Sequence, residues 1–459
     1  MLSPGALCVS LTPKTLDDVF AADLSGADCV EVRLDYLGQP QESIHARWDR
    51  LPLPVIATCR GKEHGGRFEG SIEEETHILE HAARNGAQLV DMDYRFAKPM
   101  AGAAVIGSFH DFEATPSDIE SILSRACASA SQIAKVASMA NSWSDNRRLL
   151  ALTSRPWPKP VVVIGMGEIG QITRIAGPAR GSFLTYAASA DMSAPGQLTV
   201  REMRDVYRFR RVSRTTKLIG IVGNPVGHSL SPVVHNRAFE ALNLDFVYLK
   251  FLTPDVRDFF ENARAIGIEG FSVTIPHKTA VLPFLEEQTP EAMEAGAVNT
   301  VFSRYGKWIG DNTDVHGVRA ALASASFDPT DKTVVILGGG GAAKAAAVAV
   351  KGAKSIKVLP RGEIPEAHRY RCDLLINATP VGMFPAVDAS PVQGPIHANV
   401  VLDMVYNPPV TRLLRSAADQ GKTVIQGTTM FLAQAARQFE IWTGHRAPAE
   451  IFEEKSYSL

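Results

Sequence analysis

Eight short runs of apolar and β-branched residues recur through the first half of the chain: ALCVSLT (6–12), CVEVRLD (29–35), PVIATCR (54–60), AQLVDMD (87–93), AAVIGSF (103–109), QIAKVAS (132–138), PVVVIGM (160–166) and SFLTYAAS (182–189). None alternates strictly between apolar and polar positions, which is the pattern of parallel strands covered on both faces. Longer helical stretches separate them. Eight strand–helix units in succession predict an N-terminal (β/α)8 barrel, at the short end of the length that fold usually needs. Polar side chains collect at the carboxyl ends of these runs, where such barrels carry their active sites. They are Glu31, Arg33, Arg60, His110 and Lys135.

The pattern breaks at the basic run RFRRVSRTTK, 208–217, and restarts with KLIGIVGNP. We therefore expect the barrel over residues 1–212 and a second α/β region from 217 onward. That region divides again. One block covers 217–315. Another, 316–428, contains the strand, glycine turn and alanine-rich helix TVVILGGGGAAKAAAVAV (333–350) and the strands SIKVLP, DLLINATP, NVVLDMVY and KTVIQG. A final helix near 429–442 is expected to return to the first block, so 429–459 is grouped with 217–315.

Composition narrows the function class. At roughly 100–200 residues per domain, the chain has room for two to four. Its 459 residues are 45% hydrophobic with a net charge of −2. That balance gives no broad electrostatic footprint for nucleic acid or membrane. The basic run reads as a solvated linker. Five cysteines, an odd number without a Cys-x-x-Cys pair, fit free thiols in a reducing compartment. No apolar run reaches the roughly 18 residues of a membrane span, and no secretory pattern opens the chain. A cytoplasmic enzyme without a metal is expected.

Gly338, Gly339, Gly340 and Gly341 lie between a strand and a helix. Glycines there permit a tight turn and close approach of a pyrophosphate, which the helix N-terminus attracts. The following strand ends at Leu359-Pro360-Arg361, about 20 residues on, where an NAD site would offer an acid. Arg361 suits a 2′-phosphate instead and favours NADP. Glu363 nearby leaves NAD as the alternative.

The segments GNPVGHSLSPVVHNRAF (223–239), FSVTIPHK (271–278), GAVNTV (296–301), GDNTDVHG (310–317), NATPVGM (377–383) and DMVYNPP (403–409) closely resemble shikimate dehydrogenase, in that family's order. The resemblance implies a substrate-binding domain beside a Rossmann NADP-binding domain. It implies Lys278 and Asp314 as the catalytic pair, and Ser229, Ser231, Thr274, Asn299, Tyr406 and Gln434 as the groups that hold shikimate. It also implies contacts to NADP from Gly338 to Ala342, Arg361, Met404 and Gly427. Two departures stand out. Ser272 replaces the usual asparagine before Val-Thr, and Pro360-Arg361-Gly362 replaces Asn-Arg-Thr, which puts the strength of NADP selectivity in question.

The barrel resembles type I 3-dehydroquinate dehydratase through EVRLD (31–35), ATCRGKEHGGRFEG (57–70), SFHDF (108–112), IAKVA (133–137), GMGEIGQITRIAG (165–177) and SAPGQLTV (193–200). The resemblance implies Lys135 as a Schiff-base lysine and His110 as the general base and acid. It implies Ser10, Glu31, Arg33, Arg60, Arg174, Ser193 and Gln197 as substrate-binding residues. Burial and cationic neighbours are expected to activate the lysine. The family's glutamate before Gly-Gly is His64 here, with Glu63 one residue earlier, and Glu63 is expected to take its role.

Together the two resemblances imply consecutive steps on the substrates 3-dehydroquinate, 3-dehydroshikimate and shikimate. A quinate dehydrogenase is disfavoured by Ser229 and Thr274. A metabolite sensor built from retired enzymes is disfavoured by the retention of Lys135, Lys278 and Asp314. An aldolase-type barrel is disfavoured by EVRLD and SAPGQ.

Overall fold

The computed structural model describes residues 2–189 and 193–453. It divides into two compact units. The first comprises Met1–Leu218 with Asp245–Ile268, and the second Ile219–Leu244 with Glu269–Leu459.

The first unit carries eight parallel strands: β1 (Ala6–Leu11), β2 (Cys29–Arg33), β3 (Val55–Thr58), β4 (Leu89–Asp93), β5 (Ala104–Asp111), β6 (Ile133–Met139), β7 (Val161–Met166) and β8 (Leu184–Ala188). Their order, β7-β6-β5-β4-β3-β2-β1-β8, is that of the expected (β/α)8 barrel. A backbone bond from Phe183 N–H to Val161 O at 2.7 Å joins the approach to β8 to the start of β7. The strand residues face two cores. One lies inside the barrel, where Ala6, Cys8, Cys29, Ile56, Leu89, Ile106, Ile133 and Val162 form an apolar floor. The other lies between strands and helices, with Val9, Val30, Val55, Ala57 and Leu79 in one part of it. Two buried faces explain the continuous apolar runs.

β9 (Lys217–Gly223) begins the second stretch, and β10 (Phe246–Leu252) with the helix Val256–Ile266 folds into the first unit. There Asp258 accepts from the backbone N–H groups of Trp143 (2.6 Å) and Ser144 (3.2 Å), at the start of the helix Trp143–Thr153. The Trp143 indole packs edge-on against Phe251 and Phe259 and donates to Leu252 O at 3.1 Å. An acid at a helix N-terminus satisfies orphan donors and complements the helix dipole.

In the second unit, β9, β11 (Ile268–Val273), β13 (Thr300–Arg304), β14 (Lys307–Asp311) and β12 (Glu287–Gln288) follow one another across a mixed sheet. A parallel sheet has the order β16-β15-β17-β18-β19, from β15 (Thr333–Leu337), β16 (Ser355–Leu359), β17 (Cys372–Asn377), β18 (Ala398–Asp403) and β19 (Thr423–Ile425). The order reverses at β15, so the crevice beyond the carboxyl ends of β15 and β17 is where a doubly wound sheet binds its ligand. The long helix Gly427–Thr443 packs on the helix Thr313–Ser324. Among the described residues no helix is long and apolar enough to cross a membrane, and no cluster of three or more His, Cys, Asp or Glu could hold a metal. All five cysteines are free and buried.

Candidate active sites

Lys135 points from the middle of β6 into the barrel, above the apolar floor. Its Nζ lies 2.8 Å from Asp91 Oδ2, 3.0 Å from the Tyr186 hydroxyl and 4.0 Å from Glu31 Oε1. The charged groups nearest to it are therefore carboxylates. This corrects the expected cationic surroundings: Arg60 reaches the lysine only through Asp91, whose Oδ1 it holds at 2.7 Å. Ser108 adds a 2.6 Å bond to the same oxygen. Burial alone would raise the Asp91 carboxyl, but Lys135 and then Arg60 outweigh it and hold it at about 2.

His110, near the end of β5, meets Arg60 through Nδ1. A guanidinium only donates, so Nδ1 accepts and the ring is neutral. Burial of the ring, then Arg60 and Lys135, hold it well below the usual imidazole range. Its resting form is thus a base, and any imidazolium formed there is a ready acid.

Glu31 accepts from Ser10 (2.6 Å) and Thr58 (3.0 Å), and Ser193 donates to Ser10 at 2.9 Å while its N–H donates to Gln197 at 2.7 Å. The barrel thus brings Ser10, Glu31, Ser193 and Gln197 into one chain of hydrogen bonds. The three arginines differ. Arg33 is held in a fork by Asp35 (2.9 and 2.7 Å), and Arg60 by Asp91 and His110. Arg174 is 1% exposed and, among the described residues, bonds only carbonyl oxygens, Tyr186 O at 3.3 Å and Pro195 O at 3.4 Å. Its Nε has no partner among the described residues, and burial pushes the guanidinium down to about 10. A buried guanidinium with no acid partner among the described residues fits an anionic ligand.

Asp91, Tyr186, Thr58 and Ser108 were not anticipated from the sequence. The available signal was a buried acid or hydroxyl inside an apolar strand, such as Asp91 in AQLVDMD. Glu63 is exposed on a short helical turn, Lys62–His64, while His64 beside it joins a polar cluster with Arg95 and Asp93.

In the second unit Lys278 Nζ bonds Asp314 Oδ2. Asn299 donates to Asp314 Oδ1 at 2.8 Å, to Thr313 at 3.0 Å and to Gln434 at 3.3 Å. Ser231 N–H donates to Ser229 Oγ at 3.2 Å, and the Tyr406 ring stacks on Phe431 at 4.3 Å. Burial raises the Tyr406 phenol, with a hydrogen bond to Ser229 opposing it. Thr274 N–H donates to Val222 O at 2.9 Å, and a Cβ on Gly223 would lie 2.3 Å from the Thr274 methyl, so these two loops meet only through glycine. Ser272 donates to Gln438 Oε1 at 2.9 Å, and Gln438 donates to Asn299 O and Thr300 Oγ1. The serine in place of asparagine therefore still steadies the backbone at Asn299.

The glycine turn fits a dinucleotide. Gly338 has φ 115°, Gly341 opens the helix Gly341–Ala349, and a Cβ on Gly341 would lie 2.8 Å from Lys278 Cβ. The free N–H groups of that helix start, with Ala342 in its first turn, suit a pyrophosphate. Arg361 is exposed past the end of β16, and Glu363 lies 3.9 Å from Lys357, which draws the nearby acid into an ion pair. Met404 N–H donates to Asn377 O at 2.9 Å, and Gly427 begins the long helix against Val405 O.

Family models match both halves of the chain. Residues 7–214 match type I 3-dehydroquinase, 221–301 the shikimate dehydrogenase substrate binding domain, and 427–455 the shikimate 5'-dehydrogenase C-terminal domain. A bifunctional 3-dehydroquinate dehydratase/shikimate dehydrogenase, chloroplastic, of Arabidopsis thaliana is 35% identical over 98% of this chain and 84% of its own. The chain belongs to this bifunctional family. Its dehydrogenase half is also 40% identical to the shikimate dehydrogenase (NADP(+)) of Methanopyrus kandleri, over 53% of this chain and 96% of that one. A solved dehydroquinate dehydratase and shikimate dehydrogenase from S. pombe AroM is 25% identical, with 98% of both chains covered at a TM-score of 0.41. The chain is a type I dehydroquinase lyase and an NADP-dependent shikimate dehydrogenase in one polypeptide.

Proposed function

We propose that the barrel dehydrates 3-dehydroquinate to 3-dehydroshikimate through a Schiff base on Lys135, and that the second region reduces this product to shikimate with NADPH. We assign the first step to residues 1–212, substrate binding in the second to 217–315 with 429–459, and cofactor binding to 316–428. Residues 454–459 lie outside those described. Five free thiols support placing both steps in a reducing cytoplasm.

The observation that carries the reading is the pairing, within one barrel, of a buried lysine with a neutral histidine. Lys135 Nζ, once it gives up a proton, attacks the ring ketone, and water leaves to form an iminium. The iminium acidifies the adjacent C–H. His110 takes that proton and returns it to the departing hydroxyl, which leaves as water. Hydrolysis of the iminium frees the lysine. Arg174 is the arginine best suited to the substrate carboxylate, because Arg33 and Arg60 already face acids of the protein. A substrate carboxylate that drew Arg60 away from His110 would also release the Nδ1 lone pair.

In the dehydrogenase half NADPH, when bound, supplies the hydride. Lys278, held by Asp314, would hold and deliver the proton to the developing alkoxide. Asn299 fixes Asp314, and Ser229, Ser231, Thr274, Tyr406 and Gln434 offer the fixed hydrogen bonds that a polyhydroxy acid needs.

The test is NADPH absorbance in a mixture of the protein, 3-dehydroquinate and NADPH. A steady fall with shikimate as product supports both steps. No fall, in protein that oxidises NADPH with 3-dehydroshikimate, overturns the dehydratase assignment.

A further inference from the structure

Tyr186 stands on β8, paired in register with Cys8 of β1, and its ring packs among the apolar residues of the barrel floor. It is buried. Its hydroxyl rises from that floor and lies 3.0 Å from Lys135 Nζ, which sits 4.1 Å from the ring centroid. The backbone carbonyl of Tyr186 accepts from Arg174 at 3.3 Å. One residue thus touches both the proposed nucleophile and the arginine best suited to the substrate carboxylate. Packing accounts for the ring but not for the oxygen, since a phenylalanine would fill the same floor.

Joining a lysine to a ketone as an iminium places two protons on the ketone oxygen, which departs as water. Counted from a lysine ammonium, Nζ supplies both and keeps its third proton on the iminium nitrogen. A group beside Nζ must carry each of them to the oxygen, and the groups near it differ in that ability. Asp91 Oδ2 is 2.8 Å away, but Lys135 and then Arg60 hold that carboxyl at about 2, so it stays ionised and has no proton to pass on. Glu31 Oε1 is 4.0 Å away and already accepts from Thr58. The His110 Nδ1 lone pair is engaged by Arg60. The Tyr186 oxygen accepts from Nζ, while its own O–H has no acceptor among the described residues. A hydroxyl can accept and donate at once. Burial, then the charges of Glu31 and Asp91, hold the phenol well above its usual range, so it keeps its proton between transfers.

We propose that Tyr186 is a further catalytic residue of the dehydratase, passing protons between Lys135 Nζ and the substrate's ketone oxygen as the Schiff base forms and as it is hydrolysed. The inference rests on Lys135 being the nucleophile. One proton passes from Nζ through the phenol to the ketone oxygen as the freed lone pair forms the C–N bond. A second passes the same way to the carbinolamine hydroxyl. The C–O bond then breaks, water leaves, and the nitrogen lone pair closes the C=N bond. Tyr186 begins and ends each transfer as a phenol, so no further reactant is needed. Hydrolysis of the product iminium runs the same path in reverse, and His110 is left to the C–H and the departing hydroxyl.

The experiment follows single turnovers of 3-dehydroquinate by the full-length protein, stopped with borohydride at increasing times, and reads the reduced adduct by mass. Tyr186→Phe keeps the ring and removes the hydroxyl. In Y186F the adduct is expected to appear about 100-fold more slowly than in the parent and to reach the same amount at equilibrium. Protein carrying 3-fluorotyrosine at position 186 keeps the O–H and is expected to recover the rate of the parent. In the parent itself, adduct formation should be slower in D2O than in H2O, because protons move in that step. Adduct appearing in Y186F as fast as in the parent would overturn the proposal. So would a parent rate insensitive to D2O, a reading that needs no variant to fold. Absence of any adduct in the parent is a different result, and it overturns the Schiff-base reading itself.

Discussion

Lys135 and Asp91 form a buried ion pair, 2.8 Å from Nζ to Oδ2, and Asp91 uses its other oxygen to hold Arg60 at 2.7 Å. One carboxylate thus ties the proposed nucleophile to the arginine that caps His110. Breaking a buried pair by removing one partner typically costs about 3–5 kcal/mol. The arrangement therefore ties the stability of the barrel to its chemistry.

Lys135→Met is expected to abolish dehydration and leave shikimate oxidation unchanged. Borohydride added with 3-dehydroquinate should increase the mass of the parent by one reduced adduct and leave K135M unmodified. An adduct on K135M would move the nucleophile elsewhere.

Two buried aspartates give stability of opposite pH dependence. Asp91 is held at about 2, against an ordinary 3.8. Its contribution, on the order of 2 kcal/mol, is complete above about pH 4 and lost as pH falls toward 2. Asp403, at the end of β18, accepts from Asn377 (2.9 Å), Val405 N–H (3.1 Å) and Thr411 (2.6 Å), but burial outweighs these bonds and pushes it up to about 6. The folded state therefore holds its proton more tightly than the unfolded one. That contribution is complete below about pH 4 and is lost as pH rises to about 6. Thermal unfolding should show the advantage of the parent over D403N shrinking from pH 4 to 6, and its advantage over D91N growing as pH rises toward 4.

Asp258 caps a barrel helix although its segment lies in the stretch that reads as dehydrogenase. Asp258→Ala removes both bonds to the helix start and should cost about 1–2 kcal/mol. Trp143→Ala empties the space between Phe251 and Phe259 and should cost about 3–5 kcal/mol. Heat inactivation of dehydration reports both. The rate before heating should be that of the parent for D258A.

Arg361 stands exposed past β16, while Lys357 engages Glu363. Arg361→Ala should raise KM for NADP about tenfold, the size of one charge-assisted hydrogen bond, and leave KM for NAD nearly unchanged. Equal effects on both cofactors would remove the arginine from the 2′-phosphate.

The eight barrel strands were legible because each is a continuous apolar run between turns, and parallel strands covered on both faces leave that trace. His110 stood out as a polar residue at the end of such a run, and Lys135 as a charge that the structure places inside β6 rather than at the expected strand end. Asp91 did not, because in AQLVDMD nothing local says which of two acids turns inward; register against β3 and β5 decides it. Nor could the local pattern of FVYLKFL or VRDFFENARAI show that β10 and the helix after it fold with the first unit, since the Trp143–Asp258 contact spans 115 residues. The occupied forks of Arg33 and Arg60 were hidden for the same reason: their acids are brought to them by folding, or sit in a turn whose direction the sequence leaves open.

Gly341 links the proposed cofactor turn to the proposed proton donor, Lys278. A methyl group there would come within 2.8 Å of Lys278 Cβ and 3.1 Å of its Cδ, closer than ordinary contact allows. Either the helix start or the lysine must move by some tenths of an ångström. Lys278 is held at its tip by Asp314, and Asp314 by Asn299 at 2.8 Å, so the displacement passes into the group proposed to deliver the proton. A misplacement of about 1 Å can cost on the order of 100-fold in rate. Gly341→Ala is therefore expected to lower kcat for shikimate oxidation by about 10- to 100-fold. Lys278→Met should go further in kcat with a smaller effect on KM for NADP, whereas G341A should raise that KM as well because it also disturbs the helix start. Dehydration by both variants should match the parent. A G341A protein with unaltered kcat and KM would show that the helix and the lysine are free to part, and would remove the steric link between cofactor turn and proton donor.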